Sequence, residues 1–117
     1  MNPSIIWRET SDKLGGQAIM TNGAGNFAAW LHRFWVHQCC PSQLAPTSGA
    51  MGYGLPAAIA AKLHCPDRPV IAVCGDGDFM MNVQEMETAS RLNANVTMLV
   101  WEDGGYGLIA GKQQDEF

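Results

Sequence analysis

Two apolar stretches in the second half of the chain have the length of buried strands. "RPVIAVCG" ends at Gly75 and "NVTMLVWED" ends at Asp103, and neither alternates regularly between apolar and polar positions. Strands that are apolar on both faces are typical of a parallel sheet that helices cover on both sides. A shorter stretch, "QAIM", predicts a third strand nearer the amino terminus. We therefore expect three strands at the centre of the domain.

Helical patterns lie between these strands. "NFAAWLHRFWV" has apolar side chains at helical spacing on one face, namely Phe27, Trp30, Leu31 and Phe34. "AMGYGLPAAIAAKLH" predicts an alanine-rich helix, "DFMMNVQEMETASRLN" predicts one continuous helix, and "GGYGLIAGKQQDEF" predicts a loop followed by a helix. The alternation of strands and helices predicts an α/β fold, a three-layer parallel sheet with helices on both faces.

Two segments lack this periodicity. "RETSDKLGG" is predicted to be irregular, and the Pro, Ser and Gly residues of "HQCCPSQLAPTSG" predict a loop. The length of 117 residues indicates one domain, residues 1–117. Because a doubly wound domain normally has more than three strands, we expect this one to be truncated, part of a larger domain.

Composition and charge narrow the classes of partner. The net charge of −4 disfavours nucleic acid and anionic membranes, since both need a basic surface. No apolar run has the length of a membrane span, and the first residues lack the apolar core of a signal peptide, so we expect a cytoplasmic protein. The four cysteines form no C-x-x-C pair, which predicts reduced thiols, with Cys74 packed on its strand.

Two glycine-rich motifs suggest alternative functions. "GAGNFA" at residues 23–28 fits the dinucleotide fingerprint, but no acidic residue follows at about 20 positions, so a glycine turn before a helix explains it better. In "GDGDFMM", Asp76 and Asp78 follow an apolar strand, as in phosphotransferases with an aspartyl nucleophile. That interpretation also needs a hydroxyl residue after the next strand, where this chain has "WED".

A third interpretation joins carboxylates from two strands. Asp76 ends one predicted strand, and Asp103 ends the next, one strand–helix–strand unit later. In a parallel sheet such a unit brings both side chains to the carboxyl edge, where α/β proteins bind ligands. Two carboxylates among glycines suit Mg²⁺, which commonly pairs with substrate phosphates. The simpler explanation, a helix cap at Asp78 and a turn at Asp103, leaves Asp76 unexplained.

These residues resemble a motif set of thiamine-diphosphate-dependent enzymes. "GDG" at residues 75–77 is similar to the first motif, and "WEDGGYG" at residues 101–107 to the second, with Glu102 in place of the usual Asn. "APTSGAMGYGLPAAIAAK" resembles the segment that contacts the cofactor's pyrimidine ring, most closely in acetolactate synthases. "TNGAGNFAAWLHRFW" resembles the beginning of the same domain, so the resemblance runs from about Gln17 to the carboxyl terminus.

The resemblance implies roles for the matching residues. Asp76 and Asp103 would bind Mg²⁺ through their side chains, and Gly105 would bind it through its backbone carbonyl. Gly77 and Asp78 would present backbone N–H groups to the diphosphate. Met51 would hold the cofactor bent, and the glycines on either side of it would let backbone approach the aminopyrimidine. The residues implied to contact the cofactor are Gly49, Met51, Gly52, Gly75, Gly77 and Asp78.

The resemblance also implies a function. The chain would be the thiamine diphosphate- and magnesium-binding domain of an enzyme that decarboxylates a 2-keto acid such as pyruvate and joins the product to a second keto acid. In this family the activating glutamate comes from a separate domain, usually on the partner subunit. We therefore expect a homodimer or larger assembly, no pyrimidine-binding or middle domain within residues 1–117, and no turnover by the lone chain. The alternative is a non-catalytic, self-associating module that retains the fold.

Overall fold

The computed structural model of the chain describes residues 2–116 as one layered α/β unit. The helices are α1 (Pro3–Lys13), α2 (Asn26–Phe34), α3 (Gly54–His64), α4 (Asp76–Met80), α5 (Glu85–Arg91) and α6 (Gly107–Glu116). The strands are β1 (Ile19–Asn22), β2 (Gln43–Leu44), β3 (Val70–Gly75) and β4 (Thr97–Trp101). All strand pairs are parallel, in the order β2-β1-β3-β4. The predicted α/β fold with a parallel sheet is confirmed.

Helices cover both faces of this sheet, as the two-faced strands predicted. On one face α1 and α2 pack Trp7, Leu31 and Trp35 against the sheet. On the other face Ala58 and Ala61 of α3 pack against it, and α5 lies beside α3. The alanines of α3 allow that helix to approach the strands closely, because they add little side-chain bulk. The result is a three-layer arrangement with an apolar core on each side.

The strands differ in burial according to their place in the sheet. All six residues of β3 are buried, since β3 has a strand on each side and a helix layer on each face. Cys74 on this strand is 1% exposed, as predicted. β4 is an edge strand of the described sheet, and none of its five residues is fully buried. Burial therefore falls sharply from the central strand to its neighbour.

The beginning of the chain is helical, so the prediction of an irregular segment was wrong. The Asn2 side chain accepts a hydrogen bond from the Ser4 N–H at 3.1 Å, and Pro3 occupies the first helical position. Both features favour a helix start. Only a narrow face of α1 is buried, at Trp7 and Ser11, which are four residues apart. Because residues 8–13 are mostly polar, the sequence pattern did not predict this helix.

The predicted loop at "HQCCPSQLAPTSG" contains the short strand β2. Its two residues pair with β1 at Met20↔Gln43 and Thr21↔Leu44. Two residues are too few to show an alternation pattern, so the strand had no signal in the sequence. The sheet consequently has four strands rather than the three expected.

The helix predicted after β3 is two helices, α4 and α5. Between them backbone N–H groups bond three residues back, as Asn82 does to Phe79 and Glu85 does to Asn82. Such bonds form tighter turns than an α-helix. The Asn82 side chain also donates to the Gly52 carbonyl at 2.7 Å. This long-range bond accompanies the interruption, and the local pattern does not reveal it.

The predicted apolar face of α2 is only partly buried. Leu31 is fully buried, but Trp30 is 41% exposed and stacks on Phe34 with ring centroids 5.7 Å apart. The ring of Trp7 from α1 packs instead against Trp35 and Trp101, at centroid distances of 6.4 and 6.2 Å. The tryptophan cluster thus links α1 to the end of β4. No helix within residues 2–116 is long and apolar enough to cross a membrane.

Candidate functional site

The strand order creates a crevice at the carboxyl edge of the sheet. From β1 the chain passes through α2 to β2 on one side, whereas β3 lies on the other side of β1. Connections that leave in opposite directions open a gap beyond the strand ends, which is where α/β proteins bind ligands. A cleft of about 260 Å³ occupies this position. Its walls come from the segments after β1, β3 and β4 and from the first turn of α6.

Eight of the nine residues implied to bind the cofactor or the metal line this cleft. They are Gly49, Met51, Gly75, Asp76, Gly77, Asp78, Asp103 and Gly105. The ninth, Gly52, is buried outside the lining and donates its N–H to the Asp78 carboxylate. The structure therefore brings together segments that are more than 20 residues apart in the chain.

Asp76 and Asp103 follow neighbouring strands. Gly75 pairs with Trp101 at the last register position of β3 and β4, and each aspartate lies one or two residues beyond. Adjacent strands lie about 4.8 Å apart, so both carboxylates begin from nearby points of the sheet edge. Asp76 Oδ1 accepts a hydrogen bond from the Gly77 N–H at 2.8 Å, and Asp103 Oδ1 accepts one from the Gly105 N–H at 3.3 Å. Both side chains therefore carry available carboxylate oxygens at the cleft.

The oxygen donors at this edge fit a hard cation. Within residues 2–116 no cluster of three or more His, Cys, Asp or Glu side chains is arranged to hold a metal. A cation at the two aspartates would therefore need further oxygen ligands, such as a backbone carbonyl, water or ligand phosphate. Mg²⁺ is usually bound in this way, by one or two carboxylates together with phosphate oxygens and water.

A further part of the cleft wall is a glycine turn around Met51. Gly49 and Gly52 have φ angles of +67° and +83°, in the left-handed region that glycine adopts without strain. This turn also explains why α3 begins at Gly54 rather than near Ala50, as the sequence pattern predicted. Met51 lines the cleft from the turn, while nothing lies within 4 Å of a Cβ built on Gly49. Backbone and an apolar side chain therefore form this wall.

Asp78 is buried, and it does not cap a helix as predicted. It lies inside α4 with 2% of its surface exposed, and Oδ1 accepts the Gly52 N–H at 2.6 Å. Oδ2 has no hydrogen-bond partner within the described residues. Burial raises the pKa of the Asp78 carboxyl, and the Gly52 hydrogen bond partly opposes that rise. A buried carboxyl held in this way is poorly placed to act as the acid/base partner that a phosphotransferase would need.

The thiol of Cys74 lies close to this carboxyl. Burial, followed by the negative charge and hydrogen bonding of Asp78, raises the pKa of Cys74 to about 12. The thiol therefore stays protonated and unreactive near neutral pH. A Cβ on Gly54 would lie 2.8 Å from the Cys74 sulfur, so the packing here depends on a small residue. All four cysteines are free, as expected.

Several lining residues were not predicted from the sequence. Phe27 of α2 packs against the position that a Cβ on Gly75 would take, and Tyr106 packs against Gly77 in the same way. The remaining additional residues of the lining are Ala24, Gly25, Asn26, Trp101, Gly107, Leu108 and Ile109. The "GAGN" segment was the available signal for this wall, because its glycines follow β1 at the crevice. The α6 residues offered no comparable signal.

The fold and this cleft define a ligand-binding α/β domain with its site at the point where the strand order reverses. A family model described as "Thiamine pyrophosphate enzyme, C-terminal TPP binding domain" matches residues 23–117. The chain belongs to this family, which confirms the resemblance found in its motifs.

Similar proteins cover the described fold from end to end. The catabolic acetolactate synthase of Raoultella terrigena is 34% identical over 119 residues, which include 100% of this chain and 21% of that protein. The acetolactate synthase isozyme 1 large subunit of Escherichia coli (strain K12) is 38% identical over 102 residues, with coverages of 82% and 17%. The chain thus spans about a fifth of the length of these relatives.

A solved structure supports the same fold. The thiamine diphosphate-dependent 4-hydroxybenzoylformate decarboxylase of Rhodococcus jostii RHA1 superposes with a TM-score of 0.88 at 26% identity. The match covers 98% of this chain and 22% of the decarboxylase. The similarity to acetolactate synthases and to a decarboxylase places the chain with the cofactor-binding domain of such enzymes.

Proposed function

We propose that the cleft binds the diphosphate end of thiamine diphosphate together with Mg²⁺. The observation that carries this proposal is the position of Asp76 and Asp103 after neighbouring parallel strands, at a cleft of suitable size. In this proposal both carboxylates and the Gly105 carbonyl hold the cation. Gly75 and Gly77 present backbone to the cleft, with Phe27 and Tyr106 packed against the positions that their Cβ atoms would take. The Gly77 N–H, which donates to Asp76 Oδ1 at 2.8 Å, is one backbone donor at this edge.

The wall formed by the Met51 turn would hold the ring end of the cofactor. Met51 supports the bend of the molecule, and the turn between Gly49 and Gly52 admits the aminopyrimidine close to backbone. When bound, thiamine diphosphate supplies the electron sink that 2-keto acid decarboxylation requires. The chain's own residues would bind and orient it, while the apolar side chains of Phe27, Trp101 and Leu108 would limit the access of water.

We further propose that the domain works within an acetolactate-synthase-like assembly acting on a 2-keto acid such as pyruvate. By itself it would bind cofactor without turnover, because the family's activating glutamate is implied to come from another domain. A homodimer or larger assembly would bring that domain to the cleft. The sequence similarity to two acetolactate synthases supports this choice of reaction.

Calorimetric titration with thiamine diphosphate, with and without Mg²⁺, tests the proposed site. We expect binding that requires Mg²⁺ and is lost in Asp76→Asn. Asp67→Asn is the matched control, because Asp67 is an exposed aspartate just before the other end of β3. Equal binding by wild type and Asp76→Asn would disprove the metal assignment.

A second candidate function is a self-associating module without catalysis. It is favoured by apolar side chains that remain exposed on β4, just before α6 and on α6, namely Val100, Tyr106, Leu108 and Ile109. Apolar patches of this kind often mark protein interfaces. Light scattering distinguishes the candidates: self-association without any Mg²⁺-dependent cofactor binding would favour the module.

A further inference from the structure

The Gly52 peptide is held on both sides by the segment that follows β3. Its N–H donates to Asp78 Oδ1 at 2.6 Å, and its carbonyl accepts from Asn82 Nδ2 at 2.7 Å. The first of these hydrogen bonds is buried. Two side chains, one from α4 and one just after it, thus clamp a single glycine of the turn at residues 49–52.

Forming the clamp requires a buried carboxylate, which lowers stability and therefore indicates that the clamp has a function. Asp78 is 98% removed from solvent, and its carboxylate lies beside the Cys74 thiol and the Gly52 N–H. Burying a carboxylate costs stability even where hydrogen bonds partly compensate for the lost water. Asn82 lies in the break between α4 and α5. An apolar residue at position 78 would avoid burying a carboxylate, but it would leave the Gly52 N–H without its acceptor.

The clamp joins the two walls of the cleft. Met51 lies directly before Gly52, and Gly77 lies directly before Asp78. Both Met51 and Gly77 line the cleft. The separation between the wall proposed for the rings and the wall proposed for the diphosphate is therefore set by these two hydrogen bonds.

We propose that Asp78 and Asn82 are positioning residues, which hold the Met51 turn at the correct distance from the diphosphate-binding segment. This inference rests on the proposed function for its ligand. The Asp78 carboxylate acts through the Gly52 N–H, from which its Oδ1 accepts a buried hydrogen bond, while the backbone of Asp78 lies at the cleft. The clamp allows one ligand to contact both walls without reorganising the turn, which is how pre-organised sites gain affinity.

Amide hydrogen exchange of Gly52 tests the clamp without any ligand. In Asp78→Ala we expect Gly52 exchange to accelerate about tenfold or more, because its acceptor is gone. Asp78→Asn keeps a side-chain oxygen and should retain most of the protection. Asp67→Ala, at an exposed aspartate away from the turn, should leave exchange unchanged. Equal Gly52 protection in wild type and Asp78→Ala would overturn the inference, and Asn82→Ala serves as a second probe if Asp78→Ala does not fold.

Comparing two ligands tests the positioning role. Thiamine diphosphate would contact both walls, whereas inorganic pyrophosphate would contact only one. With Mg²⁺ present, Asp78→Ala should weaken thiamine diphosphate about tenfold and pyrophosphate by less than about threefold, and Asp78→Asn should recover most of the loss. Equal weakening of both ligands would refute the positioning role. A wild-type protein that binds neither ligand would refute the proposed function, while the exchange experiment would still decide on the clamp.

Discussion

The two strand ends that form the cleft are built differently. The segment after β3 begins on a fully buried strand and continues into the buried Asp78, which contacts the Met51 turn. The segment after β4 begins on an edge strand, and residues 102–106 are all exposed. The first end is held by tertiary contacts in the free protein. The second end is exposed to solvent, and we predict that ligand binding orders it more than the first.

The comparison is tested most strongly by adding a methyl group against each end. A Cβ on Gly23, which follows β1, would overlap the Asp78 carboxylate of the β3 end, whereas nothing lies within 4 Å of a Cβ on Gly105 in the β4 end. We expect Gly23→Ala to lower the free energy of unfolding by about 3 kcal/mol, as overpacking in a core does. Gly105→Ala should change it by less than about 0.5 kcal/mol. Urea unfolding measures both, and similar losses would show that the two ends are equally packed.

Removing the exposed carboxylate should affect ligand binding without affecting stability. We expect Asp103→Asn to weaken Mg²⁺-dependent binding of thiamine diphosphate about 10- to 100-fold, with a change in unfolding free energy below about 0.5 kcal/mol. Glu102→Gln is the matched control, because Glu102 is the adjacent exposed acid. If Glu102→Gln weakens binding as much as Asp103→Asn does, net charge rather than a specific ligand explains the result.

Ligand binding should order the β4 end more than the β3 end. With saturating thiamine diphosphate and Mg²⁺, we expect amide exchange of residues 103–107 to slow about tenfold, because a bound ligand suppresses local opening. Amides of β3 should change much less, since they are already buried between strands. Hydrogen exchange with mass spectrometry measures both regions, and equal slowing would argue that the whole domain tightens together.

The smallest expected effect concerns pH. Burial raises the pKa of Asp78 from its ordinary value of 3.8, so the folded state favours the protonated carboxyl. Its stabilising contribution is complete below that value and is lost as the pH rises through the raised pKa. The stability of wild type relative to Asp78→Asn should therefore fall as the pH increases from about 4. Thermal unfolding of both variants across this range measures the difference, and a constant difference would contradict it.

The sequence predicted the elements that rely on local chemistry. The two-faced strands and the "GDG" motif identified the sheet and the position of Asp76, since both depend on burial and strand ends. The resemblance named eight residues that line the cleft, and their binding roles stay predictions. The predictions of the strands and of the sheet edge succeeded because residue type and spacing alone determine those features.

The predictions that failed concern contacts between distant segments. Asp78 matches a helix cap in sequence, but it accepts a hydrogen bond from Gly52 and is buried. Asn82 has no helix-breaking signal, yet it bonds to the same glycine. β2 exists only because β1 offers it an edge to pair with. In each case the partner is more than 20 residues away, where periodicity carries no information.

The helix at the amino terminus extends the functional unit beyond the matched family region. Trp7 of α1 packs against Trp101, which lines the cleft directly before the "ED" pair, while the family match begins at residue 23. A domain that began at residue 23 would lose the Trp7 indole, which packs against Trp101. The practical boundary for producing this domain therefore lies before Pro3.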